Sequence, residues 1–350
     1  MYETDYNSGE YQTSNDTNWP SEGYEFNETL SKCENGSSLT WDDENQKVLM
    51  QANKSDKCYI YFDKELVNFA IYIINNVYTG TDGDNGLYYH DGQGTYGTQE
   101  TGDNSYRFAG ANPNNYVCFG SDEASCSENN LYRIIGVFDG QVKLIKHTVL
   151  GSGNWSGGKS WTFSGNWSDS NLNTVNLNTN YLNNIGSTWS SKIANHIWRV
   201  GGNTSTNIMY TSPTNAYINE IVTPPETTTY TAKIGLMYVS DYYYGAHPKY
   251  WTYHGYTDSI YPNEKGQYGE EYDYRAAIND NWMYMGMREW TITSNGSGEA
   301  FYHMSDGGVS YEMKIIAVND EYYYRPVFYL IPDVKYISGT GTQTDPYHIA

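Results

Sequence analysis

The sequence is short of basic side chains, and this shortage excludes several classes of function. Among its 350 residues, 20 are Lys or Arg and 41 are Asp or Glu, which gives a formal net charge of −21. Nucleic acids and anionic membrane surfaces are bound by clustered basic side chains. The chain carries no Lys/Arg cluster. We therefore expect no nucleic-acid partner and no membrane contact except through an anchoring segment.

Motifs of known catalytic or metal chemistry are also absent. The seven histidines form no H-x-x-x-H or H-x-H pair, and no P-loop, dinucleotide fingerprint or G-x-S-x-G occurs. We predict no enzyme, no cofactor and no metal. A glycoside hydrolase stays open as an alternative, because its two carboxylates need only be close in space. Residues 81–86 (TDGDNG) resemble an acidic calcium loop, but they lack its bidentate Glu, so plain turn chemistry is the simpler interpretation and calcium the weaker one.

No apolar run is long enough to span a bilayer. The longest, LVNFAIYIINNVY at residues 66–78, is short and ends in polar residues. The acidic start YETDYNSGEYQTSND has neither the basic nor the apolar segment of a signal peptide. We expect either a cytosolic protein or an extracellular one whose targeting or anchoring segment is missing, and the cysteines favour the second.

The four cysteines fall into two local pairs, Cys33 with Cys58 and Cys118 with Cys126. The first pair flanks two alternating segments, SSLTW and KVLMQA, which it would staple as a hairpin or small sheet, and the second would close a polar loop before the strand LYRIIGVF. No C-x-x-C occurs, so structural zinc is not expected. Two disulfides predict an oxidising, extracellular location, with free thiols as the alternative.

The pattern along the chain predicts an α+β fold with long irregular loops. Residues 1–24 are expected to be a flexible segment, 25–63 a small disulfide-stapled β-module and 64–350 a ligand-binding domain. Helices are predicted over 66–77, 170–185 and 190–202, and a hairpin turns at Asp139-Gly140. Strands are predicted for AKIGLMYVSDYYYG, AINDNWMYMG, EWTIT, EAFYHMS, GGVSYEMKIIAV, YRPVFYL and VKYIS.

Tyrosine is abundant, with 20 of the 38 tyrosines at or after Tyr238. Adjacent residues of a strand point to opposite faces, so at least one tyrosine in DYYYGAHPKYWTYHGY and one in NDEYYYRP must face solvent or a loop. Tyrosine-rich surfaces are typical of binding faces. Tyrosine ladders on half-buried sheets are an equally good interpretation.

Four segments carry a resemblance: CFGSDEASCSENNLYRIIGVFDGQVKLIKH, KIGLMYVSDYYYG, NWMYMGMREWTIT and YYYRPVFYLIPDVKYISGTGTQTDPYHI. They resemble secreted Firmicutes surface proteins, often with a pilin-like or other anchoring helix, that end in a C-type-lectin-like domain closing with R-P-V-x-x-L-x-x-D-V. That domain is related in fold to formylglycine-generating enzymes and to the variable proteins of diversity-generating retroelements. The resemblance covers about residues 64–350 and implies that Trp290 is a buried anchor and that Arg325-Pro326-Val327 begins a late core strand.

The resemblance further implies an adhesin-like protein with an exposed face, hypervariable as in the diversified relatives, for a protein or glycan on another cell or a phage. In NDEYYYRP, Tyr322 and Tyr323 are expected to point outward and Tyr324 inward. The E-P-N and Q-P-D motifs of calcium-dependent lectins and the late cysteines of the oxidase branch are absent, so neither activity is implied. A pilin or filament subunit and a homo-oligomer stay open. The predicted ligand-binding residues are Tyr242, Tyr244, Ser294, Asn295, Glu299, Tyr302, His303, Ser305, Asp306, Tyr311, Glu312, Glu321, Tyr322 and Tyr323.

Overall fold

The structure, a computed structural model, describes residues 23–51, 55–90, 103–153, 166–225, 228–254, 274–295, 300–312 and 322–350, with the backbone alone for 2–3, 11–12 and a few strand ends. The fold is α+β with many strands, few helices and two disulfides. The chain divides into two compact units. Unit 1 comprises residues 1–67 and 335–338, and unit 2 comprises residues 68–334 and 339–350.

Unit 1 is a small β-structure held by a disulfide. Cys33 and Cys58 face each other on paired strands, with their Cα atoms 3.9 Å apart. The ring of Trp41 lies 5.3 Å from that of Phe62 and 6.1 Å from that of Phe26, which gives the unit an aromatic core. Its strands are Tyr2–Glu3, Tyr11–Gln12, Tyr24–Phe26, Lys32–Cys33, Ser38–Asp42, Lys47–Gln51, Cys58–Tyr59, Phe62–Lys64 and Tyr336–Ser338.

Two expectations concern unit 1, namely the hairpin between the cysteines and the segment 1–24. The predicted hairpin between the cysteines is confirmed, because Ser38–Asp42 pairs with Lys47–Gln51 in antiparallel register. Residues 1–24, expected to be a flexible segment, include two short paired stretches. Tyr2–Glu3 pairs with Tyr11–Gln12 and extends a sheet through Phe62–Lys64.

Unit 2 contains two larger sheets. The first has six strands, ordered Val327–Tyr329, Gln141–Lys146, Leu131–Phe138, Ser105–Phe108 and Leu87–His90, with Tyr116–Cys118 also paired to Leu131–Phe138. The second has five, ordered Gly151–Gly153, Tyr322–Tyr324, Glu289–Ser294, Ala300–His303 and Val309–Glu312. His196–Arg199 pairs with Thr229–Ala232 as a separate ribbon, and a last short strand is His348–Ile349.

The hairpin of Leu131–Phe138 and Gln141–Lys146, here called the central hairpin, is the middle of the six-stranded sheet and confirms the predicted turn. Asp139 and Gly140 both have positive φ, 47° and 74°, as a tight hairpin turn requires. The hairpin residues Ile134, Leu144 and Ile145 are fully buried. Because apolar side chains cover both faces, the strands read as continuous hydrophobic runs in the sequence.

The helices of unit 2 are short. Three of them have segments with wider, π-helical turns. They are Phe69–Tyr72 with Ile73–Val77, Leu172–Tyr181 with Leu182–Ser191, Ser205–Ile208, Pro213–Tyr217 with Ile218–Val222, and Val239–Tyr244. Single 3-10 turns lie at Asp84–Gly86, Glu128–Asn130, Trp167–Asp169, Pro248–Tyr250 and Tyr274–Asp280.

Three predicted elements of unit 2 are wrong. The expected helix over 190–202 ends at Ser191, and His196–Arg199 is a strand. The expected strand over 232–245 turns at Tyr238 into the helix Val239–Tyr244, and the expected strand over 277–286 begins within the 3-10 helix Tyr274–Asp280. In each case tertiary pairing or capping overrides a local pattern.

Candidate functional site

Of the ten residues of the predicted ligand face whose side chains the structure describes, six are buried. The prediction that the face is presented to solvent is therefore wrong for these six. The tyrosines of the helix Val239–Tyr244 point inward, where the Tyr242 hydroxyl donates to the Gly307 carbonyl at 2.9 Å and the Tyr244 hydroxyl to Thr214 Oγ1 at 3.3 Å. The buried members of the face, each at most 5% exposed, are Tyr242, Tyr244, Ser294, Tyr302, His303 and Tyr322.

Tyr302 and Tyr322 belong to the core around Trp290. Their ring centroids lie 4.4 Å from each other and 5.8 and 4.6 Å from that of Trp290. Trp290 is fully buried, as predicted. The three rings pack against one another, and both tyrosines are buried with Trp290.

The remaining members of the face lie apart from this core. Asn295 is half-buried, while Ser305, Asp306 and Tyr323 are exposed. In the tyrosine triplet, Tyr323 points outward and Tyr324 inward as predicted, but Tyr322 is buried. Tyr311 and Glu312 lie in the strand Val309–Glu312, but their side chains are outside the described part of the structure. Glu299 and Glu321 lie outside the described residues altogether.

The cavity of unit 2 is a better candidate for a binding site. Its volume is about 280 Å³, close to the lower end of the range for ligand pockets. The central hairpin provides Phe138 and Lys143, the ribbon strand provides His196, and the first turn of the helix Val239–Tyr244 provides Asp241. Tyr329 closes the wall from the neighbouring strand.

One wall of the cavity is an ion pair between Asp103 and Arg107. Arg107 is buried and donates from Nη2 to Asp103 Oδ2 at 2.8 Å, and the Tyr217 hydroxyl donates to the same oxygen at 2.5 Å. Burial alone would raise the pKa of Asp103. The adjacent guanidinium, with hydrogen bonds from His90, Ser105 and Tyr217, outweighs it and holds the pKa well below its ordinary value. Asp103 is thus an anion at neutral pH.

A second ion pair lies at the base of the cavity. Lys143 Nζ lies 2.5 Å from Asp241 Oδ2, with side chains only 2% and 4% exposed. The ammonium group lies 5.0 Å from the ring centroid of Tyr238 and 5.3 Å from that of Tyr329, within the range of cation–π contacts. Burial lowers the pKa of Lys143, although Asp241 acts against this shift.

His196 forms the aromatic side of the cavity. Its ring stacks on Tyr329 with centroids 3.9 Å apart and meets Trp198 edge to face at 4.9 Å. Burial, assisted by the charge of Lys143, lowers the pKa of His196 to about 4. At neutral pH the imidazole is therefore uncharged and offers a ligand one donor and one acceptor.

The charges around the cavity balance. Three cations and three carboxylates line it, and four further lining residues are aromatic rings other than histidine, so the lining favours neither a strong anion nor a strong cation. These groups are Arg107, Lys143 and Arg199, then Asp103, Asp139 and Asp241, and then Phe138, Tyr217, Tyr238 and Tyr329.

None of the residues that line the cavity was predicted to bind a ligand, although the sequence contains an indication of two of them. Arg107 and Lys143 interrupt the apolar strands SYRF and QVKLIK, and a charge inside a buried strand needs a partner. The partner of Lys143 is 98 residues away along the chain. No spacing rule connects residues so far apart, so Asp241 could not be paired with Lys143 from sequence.

Within the described ranges, one group of side chains has metal-ligand proximity, namely Cys33, Asp56 and Cys58. Both sulfurs are taken by the disulfide. In the suggested calcium loop, Asp82 Oδ1 accepts the Tyr89 N–H at 2.8 Å, and Asp84 Oδ2 accepts the Thr79 hydroxyl at 2.6 Å. These carboxylates act as turn-stabilising acceptors.

No protein-family model, curated protein or solved structure matches this chain. No helix in the described part of the chain is both long and apolar enough to cross a membrane.

Proposed function

We propose that the chain is an extracellular binding protein of a bacterial surface, and that the cavity of unit 2 binds an uncharged portion of a glycan. The observation that carries this proposal is the lining of the cavity, which combines aromatic rings with donors and acceptors of balanced charge. Sugars offer hydroxyl groups that both donate and accept, and C–H faces that pack on aromatic rings. Tyr323, an exposed residue of the predicted ligand face, offers by itself much less contact area than this cavity lining does.

The ion pairs suit this role because they fix the polar groups before a ligand arrives. Asp103 is held by Arg107 and Tyr217, and Asp241 is held by Lys143 and by the N–H of Tyr238 at 2.9 Å. Side chains already ordered in the free protein lose little conformational entropy on binding. A preorganised polar lining therefore supports binding of a small neutral ligand.

The extracellular location rests on the cysteines. All four are paired, Cys33 with Cys58 and Cys118 with Cys126, and none is free. Disulfides persist in oxidising compartments and are rare in the cytosol. The high negative charge further favours solubility outside the cell.

We also propose a C-type-lectin-like fold for unit 2. The support comes from the buried Trp290 in the strand Glu289–Ser294 and from the strand Val327–Tyr329, which follows Arg325 and Pro326. Both agree with the resemblance of the sequence to that class of domain. The α+β composition with long connecting segments is consistent with it.

A glycan array followed by calorimetry on the selected sugar tests the binding proposal. We expect Arg199→Ala, at the cavity, to reduce affinity at least tenfold, because it removes a donor from the lining. Lys47→Ala in unit 1 removes a cation elsewhere and should bind like the wild type. Tyr323→Ala should also bind normally.

The opposite pattern would overturn the cavity assignment. If Tyr323→Ala lost binding while Arg199→Ala kept it, the ligand would lie on the outer tyrosine surface. Release of new reducing ends from the bound glycan would instead identify a hydrolase. Absence of any glycan binding by the folded wild type would contradict the proposal altogether.

A further inference from the structure

The amine of Lys143 and the carboxyl group of Asp241 are in direct contact, as the two reactants of amide formation must be. Lys143 lies in the central hairpin, Asp241 in the first turn of the helix Val239–Tyr244, and Nζ is 2.5 Å from Oδ2. The amine nitrogen is thus in direct contact with the carboxyl group that it would attack. Both side chains are almost completely buried.

The surroundings favour loss of the proton from Lys143, because burial lowers the pKa of its amine, although Asp241 acts against this shift. Aromatic rings surround the amine, including Phe138 at 5.5 Å, Tyr238 at 5.0 Å and Tyr329 at 5.3 Å from Nζ to the ring centroids. Separated charges are costly where both side chains are buried. Transfer of one proton from Nζ to the carboxylate across the short hydrogen bond yields a neutral amine beside a neutral carboxylic acid, which are the two reactants of amide formation.

The carboxyl group is also held still. Its Oδ2 accepts the Tyr238 N–H at 2.9 Å. Glu220 fixes the same helical turn, because its carboxylate accepts the N–H groups of Val239 at 3.1 Å and Ser240 at 2.9 Å. Glu220 is thus a positioning residue that presents Asp241 to Lys143.

We propose that Lys143 and Asp241 condense to an intramolecular amide bond, which covalently joins the central hairpin to the helix Val239–Tyr244. The Nζ lone pair attacks Cγ of the protonated Asp241, and the C–N bond forms. A proton then moves from nitrogen to one hydroxyl oxygen of the tetrahedral centre, the C–O bond breaks, and one water leaves into the cavity. The step needs no oxidant, reductant or cofactor.

The cross-link converts two of the polar groups that line the proposed glycan site into an amide, and neither proposal depends on the other. One cation and one carboxylate disappear together, so the charge balance of the cavity is preserved. The new amide keeps one donor and one acceptor there. Because the bond joins residues 98 positions apart, it closes a long loop and restricts the unfolded chain, so the cross-linked protein should resist thermal unfolding and denaturants.

Mass spectrometry of the whole chain, with its disulfides reduced and the protein denatured, tests the cross-link. We expect the wild type to weigh one water less than its sequence, and a protease digest to contain one branched peptide with Lys143 and Asp241. The branched peptide separates this reaction from cyclisation at the Asp139-Gly140 dipeptide, which also loses water. A wild-type chain of full mass without the branched peptide, after prolonged incubation, would overturn the proposal.

Variants give an independent chemical readout. Lys143→Arg keeps the positive charge and should have the full mass of its sequence. Asp241→Asn should lose ammonia in place of water if it reacts, because the leaving group is then the amide nitrogen. If either variant fails to fold, the wild-type mass and its digest still decide the question.

Discussion

Arg325 binds Glu289 through two hydrogen bonds, from Nε to Oε1 at 2.7 Å and from Nη2 to Oε2 at 3.0 Å, and both side chains are buried. His303 Nε2 lies 2.8 Å from Glu289 Oε2 on the other side. Arg325 and His303 hold the pKa of Glu289 below its ordinary value although burial opposes them. The cluster therefore joins the strand Glu289–Ser294 to the start of the late strand that the sequence predicted.

Glu289→Ala should destabilise unit 2 strongly. The substitution leaves the buried Arg325 guanidinium without its partner, and breaking a buried pair in this way costs about 3–5 kcal/mol. Urea denaturation followed by near-ultraviolet circular dichroism measures the change. Lys249→Ala is the control, because its pair with Asp280 is exposed and such pairs contribute little. Equal midpoints for the two variants would contradict the structural role of Glu289.

These residues also show what the sequence could and could not predict. The segment RPVFYL predicted the late strand, and the alternation of Tyr323 and Tyr324 followed from the period of a strand. The burial of Tyr322 did not follow, because it depends on contacts with Trp290 and Tyr302, which belong to other strands.

The helix Val239–Tyr244 is the clearest case in which the structure predicted from sequence was wrong, and the residues responsible again lie far away along the chain. The pattern KIGLMYVSDYYY is rich in strand-forming residues, yet Asp241 caps its own helix and Glu220 binds the N–H groups of the first turn. Lys143 then adds a contact to Asp241. Neither contact is visible in local spacing, and Lys143 and Asp241 both line the cavity. Fold class and disulfides were therefore predictable, while the site was not.

Gly235→Ala should destabilise unit 2 by about 1–3 kcal/mol through overpacking. A Cβ atom at Gly235 would lie 2.8 Å from the indole ring of Trp198, which is fully buried and cannot retreat. Gly151→Ala is the matched control, since its nearest atom would be the Tyr324 hydroxyl at 3.9 Å. Thermal unfolding of the two variants measures the difference, and a stable Gly235→Ala protein would contradict the close packing against Trp198.

Loss of the Cys33–Cys58 disulfide should loosen unit 1. The bond spans 25 residues, and closing a loop of this length contributes about 3 kcal/mol. We expect a Cys33→Ser, Cys58→Ser variant to show faster hydrogen exchange in the strands Ser38–Asp42 and Lys47–Gln51. Exchange in the central hairpin is the internal reference. Unchanged protection of both strands would show that the aromatic core alone holds unit 1.

His196 should remain uncharged until the pH falls to about 4, because burial is the main cause of its lowered pKa. Since free histidine has a higher pKa, the unfolded chain takes up this proton first as the pH falls. The contribution of neutral His196 to stability is therefore complete above about pH 6.5 and is lost between there and pH 4. Solvent screening limits it to about 1–2 kcal/mol.

Two measurements check the titration of His196. Nuclear magnetic resonance of the wild-type imidazole should give a midpoint near pH 4, and His196→Gln should flatten the dependence of unfolding free energy on pH between about 4 and 6.5. Glycan binding should persist throughout the upper part of this window, because the cavity wall keeps its charge. A midpoint close to that of a free histidine would mean that water reaches the ring, and the stacked contact with Tyr329 would not describe the protein in solution.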